Sequence, residues 1–282
     1  IVAFASCEKQ GGKEDDKEAT KVTVAEDALV LHLPFEDGSV AVGEGVTFAS
    51  KEGKAELVDG FIGKAYTNTS GDAKEAGYLK YNLAATNCIN SLKSFTFSAW
   101  IKRPALGSGT FFSVNGGEHD WASTMQFFFD NTGVGEDGAT YQQFNARIDS
   151  YKQGEDGNKF QASCWPNVQG PEFAKVDEWF HVARTYDAAT GAWKVYVDGV
   201  QTHDGVHEFG DPAGPFGDLD LTSPTMNALY IGGWAAIIDG VNNQDWMTFF
   251  NGSVDEVRMY NRALTDQEIG QLWQQEKLIN LE

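Results

Sequence analysis

The chain has 282 residues with 41 acidic against 21 basic side chains, a net charge of −20, and is 41% hydrophobic and 13% aromatic. That apolar share builds a core and excludes wholesale disorder, while the acidic balance excludes nucleic acid as a partner, since little is present to neutralise phosphates. The 31 glycines and 7 prolines favour many tight turns, and no run of 18 apolar residues offers a membrane-spanning helix.

The chain opens Ile1-Val2-Ala3-Phe4-Ala5-Ser6-Cys7, apolar and then small residues before a cysteine. This resembles the end of a bacterial lipoprotein signal, which predicts lipidation at Cys7 and a lipid anchor in the outer membrane. Glu8 to Ala19 follows with Gly11-Gly12 and the run Lys13-Glu14-Asp15-Asp16-Lys17-Glu18, too polar to pack. Acidic runs at this place resemble tags that send such lipoproteins to the cell surface. Residues 1–27 are therefore expected as signal remnant, lipidated cysteine and tether, and residues 28–282 as one domain. Setting Cys7 aside leaves Cys88 and Cys164, which fit either a disulfide or two buried thiols.

Strands dominate the remainder. Phe95 to Ile101 alternates with period two, placing Phe95, Phe97, Ala99 and Ile101 on one face. Phe180, Val182, Arg184 and Tyr186 alternate with Trp179, His181, Ala183 and Thr185. Trp193 to Val197 then leads into Asp198-Gly199, a strong hairpin signal. Leu229 to Ile231 and Val254 to Tyr260 read as two further strands. Thr265-Asp266-Gln267-Glu268 is a capping box, with Ile269, Leu272 and Trp273 following at helical spacing. The pattern predicts an all-β, two-sheet antiparallel sandwich closed by a short C-terminal helix.

Ser94 to Lys102 (SFTFSAWIK), Trp179 to Val200, Leu229 to Gly232 (LYIG) and Asn251 to Ile269 (NGSVDEVRMYNRALTDQEI) carry a family likeness. In this order they resemble a laminin-G-like domain of the concanavalin A-like lectin/glucanase superfamily, over roughly residues 28–275. The resemblance implies a jelly-roll sandwich and no particular reaction. Residues 103–178, 202–227 and 234–249 read as loop-rich insertions between the core strands.

Glucanases of that superfamily place carboxylates on one strand as Glu-x-Asp-x-x-Glu or one residue shorter, aimed into a cleft. The nearest string, Glu118-His119-Asp120-Trp121-Ala122-Ser123, lacks the second Glu, so no catalysis is expected. His203 and His207 stand four apart without the H-E-x-x-H pattern, a weak zinc signal. The resemblance also implies a structural Ca²⁺ held by Asp37 and Asp255, with Glu36 or Glu256 as substitutes if the register differs by one. The alternative is that Asp37 caps a turn and Asp255 pairs with Arg258 or Arg262. Phe95, Trp100, Trp179, Trp193 and Tyr260 fall on strands and read as core or sheet-covering residues. Trp121, Trp165, Trp234 and Trp246 stand beside Gly, Pro, Asn and Asp in the insertions, where a ring stacks on a sugar while Asn167, Asn242, Asn243, Gln244 and Asp245 meet hydroxyls. The alternative is that each plugs an end of the sandwich. Two functions follow: surface capture of a glycan or peptide, or an accessory subunit on a TonB-dependent transporter and its substrate-binding lid lipoprotein.

Overall fold

The computed structural model describes residues 21–70, 72, 74–117, 123–154, 157–164, 166–210 and 212–281. In chain order its first strands are β1 (Leu29–Leu33), β2 (Val42–Gly43), β3 (Val46–Gly53), β4 (Ala55–Asp59), β5 (Lys64–Asn68) and β6 (Gly77–Leu83). The middle holds β7 (Phe95–Lys102), β8 (Gly109–Asn115), β9 (Ser123–Val134), β10 (Thr140–Gln153), β11 (Lys159–Cys164) and β12 (Asn167–Gly170). After these come β13 (Phe180–Tyr186), β14 (Ala192–Val197), β15 (Val200–Val206), β16 (Glu208–Phe209), β17 (Gly214–Pro215) and β18 (Ala228–Ile231). The short helix α1 (Ala235–Ile238), β19 (Ser253–Tyr260) and α2 (Asp266–Asn280) complete the order.

Apart from the small β16–β17 pair, these strands form two antiparallel sheets. One runs β15-β14-β13-β7-β19-β1-β2, with β4 and β5 attached beside the start of β19. The other runs β11-β10-β9-β8-β18-β6-β3, with β12 also on β10. The expected alternation holds: Phe95, Phe97, Ala99 and Ile101 of β7 enter the inter-sheet core with Phe111, Phe127, Phe129 and Phe144. Phe97 and Phe127 stack across the sheets at 3.9 Å. The Asp198-Gly199 turn has both residues at positive φ (49° and 78°), the backbone that a two-residue hairpin between twisted strands requires.

Helix α2 begins at the expected capping box, with Glu268 N donating to Thr265 and the Glu268 carboxylate accepting from Thr265 N. Ile269 and Leu272 pack with Ala183, Tyr196 and Tyr260 on the outer face of the first sheet. Val22 and Val24 join this cluster, and Thr23 N donates to Gln275 Oε1 at 2.9 Å. The folded unit therefore starts before residue 28: two valines at alternate positions are enough to pin the chain beside α2. Cys7 and the run from Glu8 to Ala19 lie outside the described residues.

A second correction concerns residues 103–178. A turn at Gly135 to Gly138 joins the long strands β9 and β10 into one hairpin, so this region is mostly sheet rather than loop. Cys88 is a buried free thiol, pushed up to about 12 by burial, so the thiol alternative holds for Cys88. Nothing is described of the Cys164 side chain.

Candidate functional site

On the second sheet, alternation along β9 sends Met125, Phe127 and Phe129 into the core and leaves Gln126, Phe128 and Asp130 on the opposite face. Cross-strand pairing extends that face in rows, Ser113 with Gln126 and Arg147, and Phe128 with Asn145 and Asn167. Gln126, Asn145, Arg147 and Asp149 are all buried. Arg147 grips Asp149 through Nε at 3.2 Å and Nη2 at 3.0 Å, which neutralises both charges. Among the described residues Gln126 Oε1 and Asn145 Oδ1 have no hydrogen-bond partner.

The segment after β18 is docked on this face by side chains whose sequence positions look ordinary. Ser113 Oγ donates to Gly233 O at 2.7 Å and accepts from Ala235 N at 3.1 Å. Asp239 receives Asn115 Nδ2 at 2.8 Å and the Tyr230 hydroxyl at 2.5 Å. Burial, then the Asp239 carboxylate, raises the Tyr230 pKa and keeps that hydroxyl protonated as a donor. Lys74 Nζ donates to Met247 O at 3.0 Å and to the Asp245 carbonyl. These bonds press the Trp234 ring onto Phe128, with centroids 5.5 Å apart.

Trp234 is 3% exposed and Trp246 is 45% exposed, and their rings meet edge-to-face at 5.1 Å and 77°. Trp234 thus plugs the face and backs Trp246, whose ring reaches solvent. Asn243, Gln244 and Asp245 are exposed beside it, and Gln244 Nε2 donates to Asn242 Oδ1 at 2.9 Å. The structure therefore brings Trp234, Trp246, Asn243 and Asp245 onto one clamped segment, and leaves Asn167 exposed on the sheet face. Trp121 and Trp165 lie outside the described residues, as do Glu118, His119, Asp120 and Ala122.

The carboxylates expected to hold calcium have different partners. Asp37 is exposed and accepts from Ser39 N at 2.9 Å, capping its own turn, which lowers its pKa. Asp255 is buried at a bulge where β19 leaves β5 and joins β1. Its Oδ2 accepts from Phe61 N at 2.8 Å and Ile62 N at 2.9 Å, and its Oδ1 from Glu256 N at 2.7 Å. Burial pushes Asp255 up to about 8 despite these donors. Of the substitutes, Glu36 lies against Gly63 of the turn that Asp255 holds, while Glu256 pairs with Arg258 and with His32 at 2.7 Å. Among the described residues no three His, Cys, Asp or Glu side chains gather as a metal cage. A hard cation needs six or more oxygens, whereas Asp255 meets three amide hydrogens, so this arrangement fits turn anchoring and not calcium. Neither arginine pairs with Asp255: Arg258 pairs with Glu256 and Glu276, and Arg262 with Glu268. His203 bonds to Gln169 O at 3.2 Å and lies 3.3 Å from Glu172, while His207 packs on the Phe216 ring.

A family model for the concanavalin A-like lectin/glucanases superfamily, of the laminin G type, matches residues 76–270. The chain belongs to this family. No curated protein matches it. Among solved structures, a receptor binding domain superposes with a TM-score of 0.54 at 16% identity, covering 89% of this chain and 51% of that one. The binding domain of botulinum neurotoxin serotype D/C gives 0.53 at 14% identity, covering 89% and 52%. Domain 4 of an extracellular arabinanase from Geobacillus stearothermophilus gives 0.46 at 22% identity, covering 87% and 98%. The chain spans about half the length of the first two, and at these identities the likeness is one of fold.

Proposed function

We propose that the chain is a non-catalytic glycan-binding module that captures neutral sugars on the Trp246 segment. The observation carrying this reading is an exposed indole held edge-on by a buried one, beside a run of amide side chains. A ring fixed before binding loses little freedom when a pyranose stacks on it, and Asn243, Gln244 and Asp245 supply the polar contacts. Hydrolysis needs two carboxylates with separated proton affinities across one bond. The only carboxylates on β9 and β10 are Asp130, which accepts from Ser108 Oγ at 2.7 Å, and Asp149, spent on Arg147.

The same reading holds the domain at the cell surface through lipidated Cys7, supporting nutrient capture next to a TonB-dependent transporter. Replacing Cys7 by Ala should release the protein from the membrane fraction; retention after salt washing would place the anchor elsewhere. A glycan array run together with a reducing-end assay tests the binding claim. Binding to neutral oligosaccharides without new reducing ends is expected. Released ends would make it a hydrolase, and silence across the array would favour the accessory-subunit reading.

A further inference from the structure

A different part of the molecule carries a charge anomaly. At one end of the first sheet, β4, β5 and the start of β19 surround a cleft of about 300 Å³ with the end of β7. Its lining includes Lys102, Arg103, Asp177, Trp179, Asn251 and Ser253. That volume is at the lower end of the range for ligand pockets, enough for about one sugar ring.

In a chain of net charge −20 the lining of this cleft is charge-balanced, with Lys102 and Arg103 against Asp59 and Asp177. Arg103 is only 2% exposed, and among the described residues no carboxylate pairs with it. Its guanidinium donates to Lys175 O at 3.2 Å, to the Phe173 carbonyl and to Gln142 Oε1 at 3.4 Å, and lies 4.1 Å from the Phe129 ring centroid. Neutral oxygens and a ring face satisfy its hydrogens but leave its charge uncancelled. Burial draws Arg103 down to about 10, so it remains charged at neutral pH. Next to it Lys102 makes no ion pair among the described residues. The lining carboxylate of Asp59 is already held by Lys64 at 2.7 Å, which leaves Asp177 as the lining carboxylate without an ion pair. Lys102 is therefore the unpaired lining ammonium, with the buried Arg103 charge behind it, around a cleft walled by half-buried Trp179 and by the hydroxyls of Thr67 and Ser253.

We propose that this cleft is a second ligand site, distinct from the Trp246 segment, which takes a uronic-acid sugar. The Lys102 ammonium meets the carboxylate, the field of buried Arg103 adds to it, and the Trp179 indole faces the ring. Thr67 Oγ1 donates to Gly252 O and accepts from Ser253 Oγ, so these two hydroxyls offer acceptor sites, which favour a sugar over an apolar acid.

The test is calorimetric titration of the whole chain carrying Trp246→Ala, which disables the proposed neutral-glycan segment, with galacturonate, galactose and acetate. A charge-assisted bond is expected to make galacturonate bind about tenfold more tightly than galactose, and added salt should narrow that gap. Acetate, lacking the ring, should bind more weakly than galacturonate. Lys102→Met should erase the preference with an unchanged melting temperature, and Asp177→Asn should strengthen galacturonate binding. Equal binding of galacturonate and galactose, or a preference that survives Lys102→Met, would overturn the proposal.

Discussion

Trp234, after two glycines, and Trp246, after Asn242-Asn243-Gln244-Asp245, stand in the same insertion, yet the fold gives them opposite tasks. Trp234 is buried against Phe128, so Trp234→Ala should cost about 3–5 kcal/mol of stability. Trp246 is half exposed, so Trp246→Ala should change stability by less than about 1 kcal/mol. Denaturant melts of the two variants check this, and similar losses for both would show that the segment is packed differently. Asp255 gives a second contrast at this scale. Loss of its carboxylate strands three amides, two of them on a turn nearly 200 residues away in sequence, so Asp255→Ala should lower the melting temperature clearly. A chelator should leave the wild-type melt unmoved; a chelator-induced drop that Asp255→Ala abolishes would restore the expected calcium. The sequence singled out Asp255, but the role depends on which groups point at it, and only the fold decides that.

Helix α2 was legible because its signals are local: the capping box and the apolar spacing of Ile269 and Leu272. What lay beneath it was less so. Glu276 continues that stripe seven residues after Ile269, and it is fully buried, accepting from Trp100 Nε1 at 2.8 Å and Arg258 Nε at 2.8 Å. A glutamate on an apolar stripe reads as a solvated edge until the facing strands supply an arginine and an indole. His181 lies under the same helix, 3.8 Å from Glu276, with Arg258 and Asp198 also acting on it. Burial lowers His181 to about 4 and raises Glu276 to about 7, with Arg258 and Glu256 as the next influences on Glu276. The unfolded chain therefore binds a proton at His181 that the folded one does not, between about pH 4 and 6.5, so this group adds stability as pH rises. The folded chain keeps a proton at Glu276 that the unfolded one releases, between about pH 4.5 and 7, so this group removes stability as pH rises. Relative to wild type, Glu276→Gln should make the melting temperature climb more steeply across that window, and His181→Asn should make it fall. Parallel pH profiles for both variants would contradict this coupling of helix to sheet.

Over the whole molecule, period-two alternation, the Asp-Gly hairpin and the C-terminal helix were enough for the two-sheet sandwich, because each is set by near neighbours in the chain. The face bearing the candidate site was not, because it depends on register. Ser113, Gln126, Asn145 and Asn167 come from four strands that only the sheet aligns. The long β9–β10 hairpin was hidden for the same reason: its Gly-rich turns resemble loop, and its outward polar residues blur the apolar rhythm. Net charge acts at this scale too. At −20, self-repulsion weakens the compact state, so adding about 0.5 M sodium chloride should raise the melting temperature, as charges more than a few ångströms apart become screened. A fall on salt addition would mean that ion pairs such as Lys93–Asp218 and Lys194–Asp266 outweigh the repulsion.

The central claim, neutral-glycan capture on a preset indole, is tested most directly by titrating the best array ligand into wild type and Trp246→Ala under identical conditions. Wild type should bind with a Kd of about 10–1000 μM, and the variant about tenfold or more weakly with an unchanged melting temperature. Equal affinity in the two proteins would contradict the account.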